Sequence, residues 1–184
     1  MKILCGESED KQQRKMFEAS KEIVLELLKT DNGLHEVIDM FDPSILLRIY
    51  FDIEAYNIDS KKVLTESLEV LNKYFKTNTD CWAIAECNRI EKASYHICSK
   101  KYKISLTNLR LLANHLHKEL SYIDTSAYWF SMAYSADEGS LRLPNQSKKS
   151  IHKEGPPLTV LQGNLEDFFV CSFENLELYV YTRE

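Results

Sequence analysis

The chain has 184 residues, 44% apolar and 28% charged, and a net charge of −5. That balance suits one folded domain and excludes disordered, collagen-like and fibrous chains. No run approaches the roughly 18 consecutive apolar residues of a membrane span, and Met1 to Asp10 lacks a basic-then-apolar signal pattern, so the sequence reads as an intracellular protein with no membrane partner.

From about residue 9 to about residue 29, Met16, Phe17, Val24, Leu27 and Leu28 recur at near-helical spacing, which predicts an amphipathic helix ended by Asp31-Asn32-Gly33. Residues 1–44 therefore read as a helical N-terminal region. After Asp42-Pro43, the run from Ile45 to Glu54 is short, β-branched and aromatic, as a buried strand is. Asp59 or Ser60 caps a second helix with Leu64, Leu68, Leu71 and Phe75 on its apolar face. Cys81 to Ala85 and Ser94 to Cys98 read as the two strands of a hairpin. Ser105 opens a third helix carrying Leu106, Leu109, Leu112, Ala113, Leu116 and Leu120, followed by an aromatic segment with Tyr128, Trp129, Phe130 and Tyr134. Residues 135–157 are polar, hold three of the four prolines and read as a loop. A small helix around Leu165 to Val170 and a last strand through Leu178, Tyr179 and Val180 close the chain. This order predicts a sheet with helices on it, α/β or α+β.

Cys5, Cys81, Cys87, Cys98 and Cys171 are odd in number and contain no Cys-x-x-Cys pair, so they read as small buried residues in a reducing compartment. The acidic total hides two basic segments. Residues 92–103 hold Lys92, Lys100, Lys101 and Lys103, and residues 142–153 hold Arg142, Lys148, Lys149 and Lys153, with no acid in either. Local field decides phosphate binding more than net charge does. His115 and His117 stand two apart on a helix, point to different sides and read as surface residues.

Asp52 and Glu54 are two apart on the strongest strand. Side chains at that spacing leave the same face, so two carboxylates sit side by side in a setting that Leu46, Ile49 and Ile53 make apolar. They repel unless a cation joins them, and oxygen ligands favour Mg²⁺ or Mn²⁺. The plain alternative pairs Asp52 with Arg48 or a lysine. Lys92, Ser94 and His96 alternate in the same way and put an ammonium, a hydroxyl and an imidazole on one face, a set suited to phosphate.

In order along the chain stand Phe51-Asp52-Ile53-Glu54, Lys92-Ala93-Ser94-Tyr95-His96 and Tyr122-Ile123-Asp124. The sequence here resembles the archaeo-eukaryotic primase superfamily, whose motifs are an Asp-x-Glu strand, a Ser-x-His strand and a later hydrophobic-Asp. Tyr134, Arg142 and, six residues on, Lys148 extend the similarity to the branch containing primase-polymerases and the primases of herpesviruses and large nucleocytoplasmic DNA viruses. The resemblance covers about residues 45–170. It implies an α+β catalytic core with an RNA-recognition-motif-like sheet and packed helices over residues 1–184, a fragment of a larger replication protein. Asp52, Glu54 and Asp124 are implied as the catalytic carboxylates holding Mg²⁺ or Mn²⁺. Lys92, Ser94, His96, Arg142 and Lys148 are implied as the nucleoside triphosphate site.

The activity implied is DNA-directed primer synthesis or extension on single-stranded DNA, with a helicase and a replicative polymerase as partners. The chain departs from the family in the acidic Asp137-Glu138 before Arg142 and in having no zinc-bearing module, phosphate-binding Gly-rich loop or helicase portion. A metal-dependent nuclease using the same carboxylates and a non-catalytic replication module are the competing readings.

Overall fold

The computed structural model describes residues 1–5, 15–121, 127–129, 138–147 and 155–182. In chain order its elements are β1 (Lys2–Cys5), β2 (Lys15–Glu18), α1 (Lys21–Leu27), β3 (His35–Asp39), β4 (Leu46–Tyr56) and α2 (Ser60–Phe75). Then come β5 (Trp82–Glu86), β6 (Lys92–Ser105), α3 (Leu106–Ser121), β7 (Ala127–Trp129), β8 (Glu138–Arg142), β9 (Thr159–Gln162) and β10 (Glu177–Leu178). The smaller sheet has the order β2-β1-β3-β8, and the larger runs β7-β4-β6-β5-β9 with β10 added in parallel to β6. The class is α+β, and none of the described helices is long and apolar enough to cross a membrane.

Three features depart from the sequence reading. Residues 1–44 form three strands and a helix of seven residues instead of a helical region. Met16 and Phe17 lie in β2, paired with Leu4 and Ile3 of β1, and Ser20 starts α1 by accepting the Ile23 N–H at 3.3 Å. Two short elements in succession had produced a spacing that one helix would also show. In the stretch read as a loop, β8 pairs with β3, and Gly139 matters there because a Cβ would meet the Met40 Sδ at 2.8 Å. Finally, β6 is 14 residues long, so Lys100, Lys101 and Lys103 belong to the strand itself.

α2 is capped by Asp59, which accepts the Lys62 N–H at 2.9 Å, and ends at Lys76 in the left-handed conformation. Its buried stripe is Val63, Ser67, Leu71 and Phe75, with Leu64 and Leu68 half-buried beside it, a slight rotation from the expected face. α2 packs on β6, while α3 buries Leu106, Leu109, Leu112 and Leu116 against β4 and β6. Phe75 centres the contact, its ring 6.4 Å from Phe51 and 5.2 Å from Trp82. Burying such a ring removes 150–250 Å² from water. Phe75→Ala is expected to lower unfolding stability by about 3–5 kcal/mol in urea denaturation, because the surrounding rings cannot collapse into the space.

The chain at 169–171 joins the two sheets. Buried Glu36 of β3 accepts the N–H groups of Val170 at 2.7 Å and Cys171 at 3.0 Å. From β4, buried Arg48 donates its Nε to the Phe169 carbonyl at 2.9 Å and Nη1 to the Ser99 carbonyl at 2.7 Å. Burial raises the Glu36 carboxyl to about 7, against the pull of those two N–H groups and of Arg48. In the unfolded chain the same group titrates near 4.3. Between those values the folded state keeps a proton that the unfolded state has lost, so stability falls as pH rises through this window, by about 3 kcal/mol, and the penalty is complete above it. Glu36→Gln is expected to flatten the stability profile between about pH 4.5 and 7; parallel profiles for variant and wild type in urea titrations would refute this.

None of the five thiols is in a disulfide. Cys87 and Cys98 are buried as expected, whereas Cys5, Cys81 and Cys171 are only half-buried. Burial pushes the Cys98 thiol up to about 12, which leaves it an inert apolar filler.

Candidate functional site

The central pair of the larger sheet sets the site. β4 and β6 are antiparallel with Asp52 opposite His96, Glu54 opposite Ser94 and Tyr56 opposite Lys92. Phe51 meets the helices through Phe75, and the hydroxyl of Tyr95 bonds the Ser60 carbonyl at 2.8 Å, so the intervening residues face the other way, toward the smaller sheet. That second face is graded. Tyr50 and Cys98 are sealed, and a few residues on, the side chains of Asp52 and Glu54 are 17% and 20% exposed.

A pocket of about 220 Å³ opens there, lined by Asp52, Glu54 and His96 from the larger sheet and by His35, Ser140 and Arg142 from β3 and β8. His96 Nε2 lies 3.5 Å from Asp52 Oδ1. Lys92 Nζ lies 2.6 Å from Glu54 Oε1 and 5.4 Å from the centre of the Tyr56 ring. Desolvation alone would lower the Lys92 ammonium, but the hydrogen bond and charge of Glu54, with Tyr56 adding, outweigh it and hold the pKa above the ordinary lysine value. Arg48 does not reach these acids; it is taken up by the carbonyls of Phe169 and Ser99. The plain alternative, a lysine or Arg48 on Asp52, is not what the structure shows: the lysine lies on Glu54, and Asp52 faces an imidazole.

Arg142 is 9% exposed. Its Nη1 donates to Cys87 Sγ at 3.2 Å, its Nε has no hydrogen-bond partner, and no carboxylate pairs with it among the described residues. Cys87 is itself held by the Pro156 carbonyl at 3.1 Å. Arg142 also lines a second pocket of about 700 Å³ with Lys92, Ser94, Arg89 and Tyr56. A buried guanidinium without an acid costs stability unless an anion meets it. The structure therefore brings together Asp52, Glu54, Lys92, Ser94, His96 and Arg142 from three strands and two sheets. Asp124, Tyr134 and Lys148 lie outside the described residues. The strand that begins three residues after Asp124, β7, is paired to β4 with Glu54 opposite Tyr128.

His35 and Ser140 were not foreseen from the sequence. They come from β3 and β8, two strands that short length and polar composition hid. Among the described residues no group of three or more His, Cys, Asp or Glu is placed to hold a metal ion. The oxygen donors of Asp52 and Glu54, on one face and only partly exposed, nevertheless suit a hard divalent cation, which would compete with Lys92 for Glu54. His115, on α3, is exposed and rests 5.5 Å from the Tyr74 ring, away from this site.

Neither a scan against protein-family models nor a search of curated proteins found a match.

Arg142→Met is expected to leave stability unchanged or raise it by about 1–2 kcal/mol, since an apolar chain removes a buried charge that forms no ion pair among the described residues. Urea denaturation checks this, and a loss of more than about 2 kcal/mol would mean that Arg142 is a structural residue.

Proposed function

We propose that the chain is a DNA-directed nucleotidyltransferase of the archaeo-eukaryotic primase type, which synthesises or extends primers on single-stranded DNA with Mg²⁺ or Mn²⁺. The observation that carries this reading is the register of β4 against β6. It sets the acidic pair Asp52 and Glu54 directly across from Ser94 and His96, two motifs 42 residues apart in the chain. The buried guanidinium of Arg142 over the same pocket, which forms no ion pair among the described residues, adds to it. β7 beside Glu54 keeps the chain just after Asp124 close to the acids.

In this reading Asp52 and Glu54, with Asp124, would hold the ions, which would supply a lowered pKa to the attacking 3′-hydroxyl and countercharge to the displaced pyrophosphate. His96 faces Asp52 and keeps its carboxylate from turning away. Ser94 offers a hydroxyl to a phosphate oxygen, and Arg142 and Lys148 neutralise charge that grows on the leaving group. Lys92, now on Glu54, would be free to meet the triphosphate if a cation took its place. No covalent intermediate on the protein is needed. A helicase and a replicative polymerase are the partners that this reading implies.

The Lys92–Glu54 pair also favours a second reading, a nucleotide-binding module without turnover, because that pair already neutralises one of the acids. Primer synthesis on single-stranded DNA with Mn²⁺ or Mg²⁺ separates the two. Wild type is expected to incorporate nucleotides, and Asp52→Ala/Glu54→Ala to lose about a thousandfold or more in rate. Undiminished synthesis by the double variant would reject the assignment of the acids, while triphosphate binding without incorporation would select the module.

A further inference from the structure

The turn between β5 and β6 holds a cation that no motif assigns. Arg89 and Lys92 exchange backbone hydrogen bonds, Arg89 N–H to the Lys92 carbonyl at 2.8 Å and Lys92 N–H to the Arg89 carbonyl at 3.2 Å, with Ile90 and Glu91 at the tip. The Glu91 carbonyl accepts the Asn57 N–H at 3.0 Å, which ties the tip to the end of β4. Below it Asn88 accepts the Ser94 N–H at 2.9 Å and donates to Glu86 at 2.8 Å and to the Tyr95 hydroxyl at 3.2 Å. The turn is thus a pinned support.

The Arg89 side chain crosses to the far wall of the pocket of about 700 Å³, where its guanidinium lies against Gly155 in the space a Cβ would fill. That wall is fixed by the bond from Cys87 to the Pro156 carbonyl. Arg89 forms no ion pair among the described residues, and neither does Arg142 on the opposite side. Lys92 has one acid, Glu54, which belongs to the neighbouring small pocket. Three cations line this cavity with one acid, Glu91, and since Arg89 and Arg142 form no ion pair among the described residues, the lining keeps an excess of positive charge that a polyanion would neutralise. The cavity volume is within the range of small-ligand sites.

We propose that Arg89 is a second guanidinium anchor for the polyphosphate tail of the nucleotide. It grips the end far from the carboxylates and so distinguishes a triphosphate from shorter phosphates. This rests on the nucleotide-binding reading of the adjacent pocket. Arg142, shared by both pockets, holds the middle of the tail, and Arg89 reads its length.

The test is equilibrium binding of a nucleoside triphosphate, the matching monophosphate and inorganic tripolyphosphate to wild type, Arg89→Ala, Arg89→Lys and Gly155→Ala, with Mn²⁺ present. Arg89→Ala is expected to weaken triphosphate and tripolyphosphate about tenfold to a hundredfold and the monophosphate less than about twofold. Arg89→Lys should recover part of that loss, and Gly155→Ala, which displaces the guanidinium without touching the ligand, should reproduce part of it. Unchanged thermal unfolding of the Arg89 variants shows that the turn still folds. Triphosphate binding that is lost in Arg142→Met but unaltered in Arg89→Ala would overturn the proposal and leave the nucleotide site standing. A wild type that binds neither triphosphate nor tripolyphosphate would overturn both.

Discussion

The pairing of β4 with β6 is the constraint on which the rest depends. Side chains on a strand alternate, so a slip of one residue would send Asp52, Glu54, Ser94 and His96 into the helix-covered core and bring Phe51, Ile53, Tyr95 and Ile97 out to the pocket. The register is held by the apolar set, which is buried under α2 and α3. The polar set follows from it without needing strong attraction of its own. Hydrophobic burial on one face thereby fixes the geometry of chemistry on the other.

The polar face is complete only because the second sheet stands over it. Glu36 from β3 and Arg48 from β4 hold the same three-residue segment, and that shared hold brings β3 and β8 over the acids. Both are buried polar groups bonded to backbone, and removing either leaves buried backbone partners unpaired, which costs more than the bonds add in net. Their value is positional. Without this joint, Arg142 and His35 would have no fixed relation to Asp52.

Charge in the site is arranged at some expense to the fold. Glu54 and Asp52 each lie within 4.0 Å of a basic group, whereas Arg142 and Arg89 form no ion pair among the described residues. Structural charges generally find partners, so an excess of cation over one cavity is better explained by the ligand than by folding. The β5–β6 turn, secured through Asn88 and Asn57, gives that excess a rigid mount.

Much of the central architecture was legible along the chain: β4 from its β-branched and aromatic run, α2 from Asp59 and its apolar period, α3 after Ser105, and the β5–β6 hairpin. The alternation in Asp52-Ile53-Glu54 and Ser94-Tyr95-His96 showed which side chains share a face, because that property is local to a strand. All four strands of the smaller sheet escaped. β1, β2 and β3 have four or five residues each, and β8 carries Gly139 and Ser140, so their stability comes from partners distant in sequence and leaves little periodic trace. What the amino-acid order determined by itself was therefore the local alternation and the identity of the reactive groups. Which acid met which base, that Lys92 lies on Glu54, that Arg142 reaches the pocket from another sheet and that Arg89 leans on Gly155 were decided by tertiary structure, since strand register and sheet-on-sheet placement arise from contacts summed over the whole core.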